Sequence, residues 1–198
     1  MVGGAVKRRL TVEARRAEII AITRQRIAAD GAGALSLREV ARWCEMSAPG
    51  LTHHFPTLGE LLSAVLAQRD ADDLHGIAEL AAADGVPLTL RRLADASVRY
   101  HADRAVETRN FDALEAEAMS PSHPAHAYYV SLESHTGDLG LELARREYRD
   151  PETVIAVLRA VVDGLRKRWV LNPESADLLG DWSAIGDMVF AGFVPLPR

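Results

Sequence analysis

The sequence predicts an all-α protein. Apolar residues recur at steps of three and four along almost the whole chain, helix-capping signals stand at Thr11, Ser36, Ser47 and Thr57, and no alternating β-branched run is bounded by turn signals. Thr11 caps a first helix in which Ile19, Ile20, Thr23 and Ile27 share one face, and Asp30-Gly31 ends it. Arg15, Arg16, Glu18, Arg24 and Gln25 form its other face. Ser36-Leu37-Arg38-Glu39 is a capping box in which Ser36 and Glu39 satisfy each other's backbone donors. It opens a short second helix, 36–44, lined by Leu37, Val40, Ala41 and Cys44.

Ser47 caps a third short helix, 48–55, whose Leu51 and Phe55 face inward together, and Pro56 stops it. Thr57-Leu58-Gly59-Glu60 is a second capping box and launches a long helix to about residue 83. Beyond Asp84-Gly85 and Pro87, helices are expected at 88–102, 104–119, 122–148, 151–171 and 174–191, about nine in all. Pro121, Pro124, Asp150-Pro151 and Asn172-Pro173 mark the joints.

The 198 residues, 48% hydrophobic and 26% charged, suffice to bury a core in one large domain or two small ones. Apolar runs such as 154–157 and 160–162 are cut by charge far short of the roughly 20 residues that span a bilayer, so no transmembrane segment is expected. Lys7, Arg8 and Arg9 are followed by more charge rather than by an apolar stretch, unlike a secretion signal, and a cytoplasmic protein is expected. The single Cys44 can form neither an internal disulfide nor a CxxC metal site, which agrees with a reducing compartment.

Charge is uneven. Residues 1–70 hold ten Lys/Arg against seven Asp/Glu, whereas the remainder holds 13 against 21. A basic head on an acidic body can serve a polyanion, although so modest an excess does not decide the matter. The short pair 36–44 and 47–55, separated only by Glu45 and Met46, has the layout of a helix-turn-helix, whose second helix enters the DNA major groove. With Leu51 and Phe55 as anchors, Ala48, Pro49, Gly50, Thr52 and His53 point away. The same layout also occurs in plain structural hairpins.

Arg15-Arg16-Ala17-Glu18-Ile19-Ile20, Gly31, Ser36 through Ala41, Met46-Ser47 through Leu51, His53-His54-Phe55-Pro56 and Glu60-Leu61-Leu62 together resemble the N-terminal DNA-binding domain of the tetracycline-repressor (TetR) family. The resemblance implies a DNA-binding domain over 12–72 and a helical effector-binding and dimerisation domain over 73–198. It implies phosphate contacts at Ser36 and His54 and base-facing positions at His53 and the 48–50 triplet. With their neighbours, the DNA-contacting set is Ser36, Leu37, Arg38, Ser47, Ala48, Pro49, Gly50, Thr52, His53 and His54, joined by the arm Lys7, Arg8 and Arg9. Three residues depart from the family pattern. Thr52 replaces a common Tyr, Leu58 a common phosphate-binding Lys, and Glu45 a turn Gly, at a cost on the order of 1 kcal/mol if its φ is positive.

In the acidic body the resemblance extends to 154–171 with Asn172-Pro173. The helix over 154–165 is apolar on more than one face, which calls for a neighbour beyond its own core. A homodimer interface is therefore expected from Val154, Val157, Leu158, Val161, Leu165 and Trp169 with Leu178, Trp182, Ile185 and Val189 of the last helix. Candidates for a small-molecule effector pocket are His101, Arg109, Phe111, Glu115, Met119, His126, Tyr128, Tyr129 and Trp182.

No cofactor is expected. A metal site is not expected either: His123, His126 and His135 lack an adjoining Cys or paired acid. No GxSxG, HExxH, GxGxxG or P-loop is present, and Glu115 and Glu117 face different directions, so the reading is not enzymatic. The expected function is a regulator, a repressor by resemblance, that reads an inverted repeat as a homodimer and is released by effector when the 57–83 helix shifts. The competing reading is a helical ligand-binding or adaptor protein that keeps the fold with weak or no DNA binding.

Overall fold

A computed structural model describes residues 11–33, 35–134 and 138–197. Among them are ten helices and no strand: α1 Val12–Asp30, α2 Leu37–Trp43, α3 Ala48–His54, α4 Leu58–Ala82, α5 Leu90–Ala102, α6 Ala105–Glu117, α7 His126–Ser134, α8 Asp138–Glu147, α9 Pro151–Leu171 and α10 Leu178–Ala191. Lys7, Arg8, Arg9 and His135 lie outside the described residues.

The caps form where the side chains predict them. The Thr11, Ser36, Ser47 and Thr57 hydroxyls accept from the backbone N–H three residues on, at 3.1, 3.3, 3.1 and 3.1 Å. Both capping boxes differ from expectation in one respect. The carboxylates of Glu39 and Glu60 accept from the cap hydroxyls, at 3.3 and 3.1 Å, rather than from the cap backbone N–H. Thr89 and Asp150 cap α5 and α9 in the same way.

The expected single helix over 122–148 is instead two helices, α7 and α8. Residues 121–125 are turn and bend, because Pro121 and Pro124 donate no N–H and bias the residue before them out of the helical region. The last helix begins at Leu178 rather than 174, after turns that follow Asn172-Pro173.

Two cores organise the chain. The first holds Ile19, Ile27, Val40, Leu51, Phe55, Leu61, Leu62 and Leu66 of α1–α4, and also Phe111, Leu114 and Ala118 from α6 and its end. The second holds Ile77, Leu90, Leu93, Val98, Leu143, Val154, Leu158, Leu165, Leu178 and Trp182. The long α4 belongs to both, its first half in one and Ile77 and Ala81 in the other.

α4 meets the rest of the body through two glycines. A Cβ at Gly59 would lie 3.0 Å from the Pro124 carbonyl, and one at Gly76 would lie 2.6 Å from the Tyr100 ring, whose hydroxyl donates to Asp73 at 3.0 Å. Arg24 of α1 ties the same region together, pairing with Asp72, with Asp73 at 3.8 Å and with Glu107 of α6 at 3.6 Å. No described helix is long and apolar enough to cross a membrane.

Candidate nucleic-acid interface

The turn between α2 and α3 is built by the backbone. Met46 N–H donates to Ala41 carbonyl at 2.8 Å and Glu45 N–H to Arg42 carbonyl at 3.2 Å, the paired bonds of a Schellman helix end. That motif places its pivot residue in the left-handed region, and Glu45 has φ 51°. A glutamate there carries the Cβ strain that glycine avoids.

α3 is held by two buried side chains, Leu51 and Phe55, both 0% exposed. Arg16 of α1 fastens its far end: the guanidinium donates to the His54 carbonyl and lies 4.1 Å over the Phe55 ring. His54 is half-buried with an unpartnered, buried Nδ1. Desolvation, reinforced by His53, Arg16 and Arg15, pushes its pKa down, which favours the neutral ring.

The opposite flank of α3 is bare. Ala48, Pro49, Thr52 and His53 are exposed, as are the cap Ser47 and, on α2, Arg38. Ser36, Leu37 and Gly50 are half-buried. Thr52 Oγ1 donates to the Pro49 carbonyl at 3.1 Å. Cys44 lies on the inner side of α2, 7% exposed, and burial raises its thiol pKa, which suits packing rather than reactivity.

The effector candidates scatter. Arg109 and Met119 are exposed, and Phe111 is buried in the first core under Arg69, whose guanidinium lies 4.3 Å over the ring. Trp182 is 4% exposed in the second core, its indole N–H donating to Asp95 Oδ1 at 2.7 Å. His126 Nδ1 is engaged by the Ala118 carbonyl at 2.8 Å, and His123 Nδ1 accepts from Ala125 N–H at 3.2 Å. Among the described residues no three His, Cys, Asp or Glu gather to hold a metal ion.

The remaining candidates share a polar centre that includes two arginines missed from the sequence. Arg166 of α9 meets Asp112 at 3.0 Å, Asp163 at 3.3 Å and Glu115 at 3.8 Å. Arg69 of α4 meets Asp73 at 3.2 Å. Burial, with Arg166, Arg69 and Arg104 adding to it, pushes the His101 pKa down to about 3. Tyr128 donates to Asp70 at 2.5 Å, whereas the buried Tyr129 hydroxyl has no partner. Two open crevices, of about 580 and 230 Å³, lie elsewhere, along α1 and between Gly33 and Pro124.

Of the expected interface residues, Val154, Leu158, Leu165, Leu178 and Trp182 are at most 8% exposed, packed in the protomer's own core. A side chain already enclosed by its own helices has no surface left for a partner. On the outer flanks of α9 and α10, Val157, Leu171, Leu179 and Met188 are exposed by 37, 77, 40 and 75%. Val161, Trp169, Ile185 and Val189 are half-buried.

A helix-turn-helix whose second helix is bare on one flank is thus packed on α1 and α6 and continues through α4 into the second core. Residues 19–65 match the family model described as bacterial regulatory proteins, tetR family. The whole fold is similar to two crystal structures assigned as TetR-family transcription regulators. The one from Rhodococcus sp. has a TM-score of 0.60 at 20% identity, over 88% of this chain and 97% of that one. The one from Shewanella sp. PV-4 has a TM-score of 0.59 at 16% identity, over 92% and 99%. No curated protein matches the sequence.

Proposed function

We propose that this chain is a cytoplasmic transcription regulator, a repressor, that binds an inverted-repeat operator as a homodimer and leaves it when a small molecule binds. The carrying observation is the bare flank of α3: Ala48, Pro49, Thr52 and His53 are exposed while Leu51 and Phe55 hold the helix from behind. Residues 12–72 read DNA and 73–198 bind effector and partner. Ser36, Leu37, Arg38, Ser47, Gly50 and His54 frame the contact, with Lys7, Arg8 and Arg9 as an arm on the phosphates.

The second copy docks on the outer flanks of α9 and α10, where Val157, Leu171, Leu179 and Met188 leave carbon exposed. Effector acts on the polar centre around His101, Glu115, Tyr128 and Tyr129. α4 transmits the change, because it touches both cores and abuts Pro124 through Gly59. Ligand and operator then weaken each other equally.

Selection of duplexes from a random-sequence pool tests the reading. An enriched inverted repeat bound by two chains supports it, and a pool that stays random overturns it. Sedimentation at micromolar concentration should give a dimer, and a monomer contradicts the interface. Deleting residues 1–9 should flatten the salt dependence of binding, and an unchanged slope removes the arm.

A further inference from the structure

The exposed flank of α3 is poor in hydrogen-bonding side chains. Ala48, Pro49, Thr52 and His53 include no Arg, Lys, Asn, Gln or acid, the residue types that read one base pair through paired hydrogen bonds or a charged donor. Three of the four present carbon: the Ala48 methyl, the Pro49 ring, and the γ-methyl of Thr52, whose hydroxyl hydrogen is spent on the Pro49 carbonyl at 3.1 Å and so is not a donor to a base. The exposed arginines of the unit, Arg38 and Arg42, are on α2, the helix that crosses the phosphate backbone in such an arrangement, and Arg42 is paired with Glu39 at 3.4 Å.

Base edges in the major groove carry one apolar feature, the C5-methyl of thymine. Burying methyl against methyl removes water from both, and a cytosine at that position has no methyl to bury. The His53 ring adds an N–H donor, which N7 of either purine or O4 of thymine can accept and the amino edge of cytosine cannot.

We infer that the protein selects its operator through thymine methyl groups, read by Ala48, Pro49 and Thr52, with His53 donating to an acceptor on a neighbouring base. This rests on the proposal that α3 enters the major groove. The specificity is therefore carried by shape and carbon contact, and the phosphate contacts supply most of the affinity.

The test uses the full-length chain and a duplex it has enriched from a random pool, resynthesised with uracil in place of each thymine in turn. Removing a read methyl should weaken binding about fourfold at that position. Thr52→Ser removes the methyl and keeps the hydroxyl, so it should lose discrimination at one thymine. Thr52→Val keeps a methyl and should retain it. Position 52 is exposed, and unchanged helicity by circular dichroism confirms that each variant folds.

Uracil sensitivity at one or more positions, lost in Thr52→Ser and kept in Thr52→Val, supports the inference. An enriched duplex bound equally well with uracil throughout overturns it and leaves DNA reading intact. Failure to enrich any duplex overturns both.

Discussion

The Arg16 guanidinium lies 4.1 Å over the Phe55 ring and donates to the His54 carbonyl, so one side chain of α1 closes the last turn of α3. The bare flank of α3 needs such a brace, because a seven-residue helix cannot hold its own conformation in water. Arg16→Ala removes a cation–π contact and a charge-assisted hydrogen bond. It should cost about 1–2 kcal/mol of unfolding free energy in urea, and operator affinity should fall with it. Unchanged stability would mean that Leu51 and Phe55 alone hold the helix.

Glu45 sits at φ 51° with its backbone bonds already made. Glu45→Gly should therefore stabilise the fold, by about 0.5–1 kcal/mol after allowing for the extra freedom of glycine in the unfolded chain. A lower urea midpoint would show that the glutamate side chain contributes more than its strain costs.

Arg166 and Asp112 meet at 3.0 Å with side chains only 15 and 7% exposed. Removing one partner strands a buried charge, so Arg166→Met and Asp112→Leu should each lose about 3 kcal/mol. The double variant should lose clearly less than the two together, and additive losses in the double-mutant cycle would deny the pair its coupling.

His101, with a folded-state pKa near 3 against an ordinary 6.5, holds fewer protons folded than unfolded. Its contribution to stability is complete above about pH 6.5 and is lost as the pH falls through that value toward 3. Between pH 7 and 4 the loss should be on the order of 2–3 kcal/mol. The half-buried carboxyls Asp70 and Glu115, whose pKa values are raised, oppose it. His101→Asn should therefore lose less stability than the parent on acidification, and parallel urea profiles at pH 7, 5.5 and 4 would contradict this.

What the sequence made legible was local chemistry. Thr11, Ser36, Ser47 and Thr57 cap by groups three residues away, and Leu51 with Phe55 mark the inner face of α3 by spacing alone. The strain at Glu45 was legible as a condition, since the turn fixes φ whichever residue fills it. What failed needed tertiary information. Pro121 and Pro124 signalled a joint, yet the apolar rhythm on both sides concealed how much chain the joint takes up. Trp182 and Leu158 have the same composition signal whether they face a partner or their own core, and only packing separates the two. Arg69 and Arg166 are ordinary helix-surface types until Phe111 and Asp112 arrive from another helix.

The most direct measurement is the affinity of the full-length chain for its enriched duplex and for a scrambled one, each at two salt concentrations. The enriched duplex should bind at least about 1,000-fold more tightly, and both affinities should fall as salt rises. Equal affinity for the two duplexes, or none for either, would contradict the proposed function.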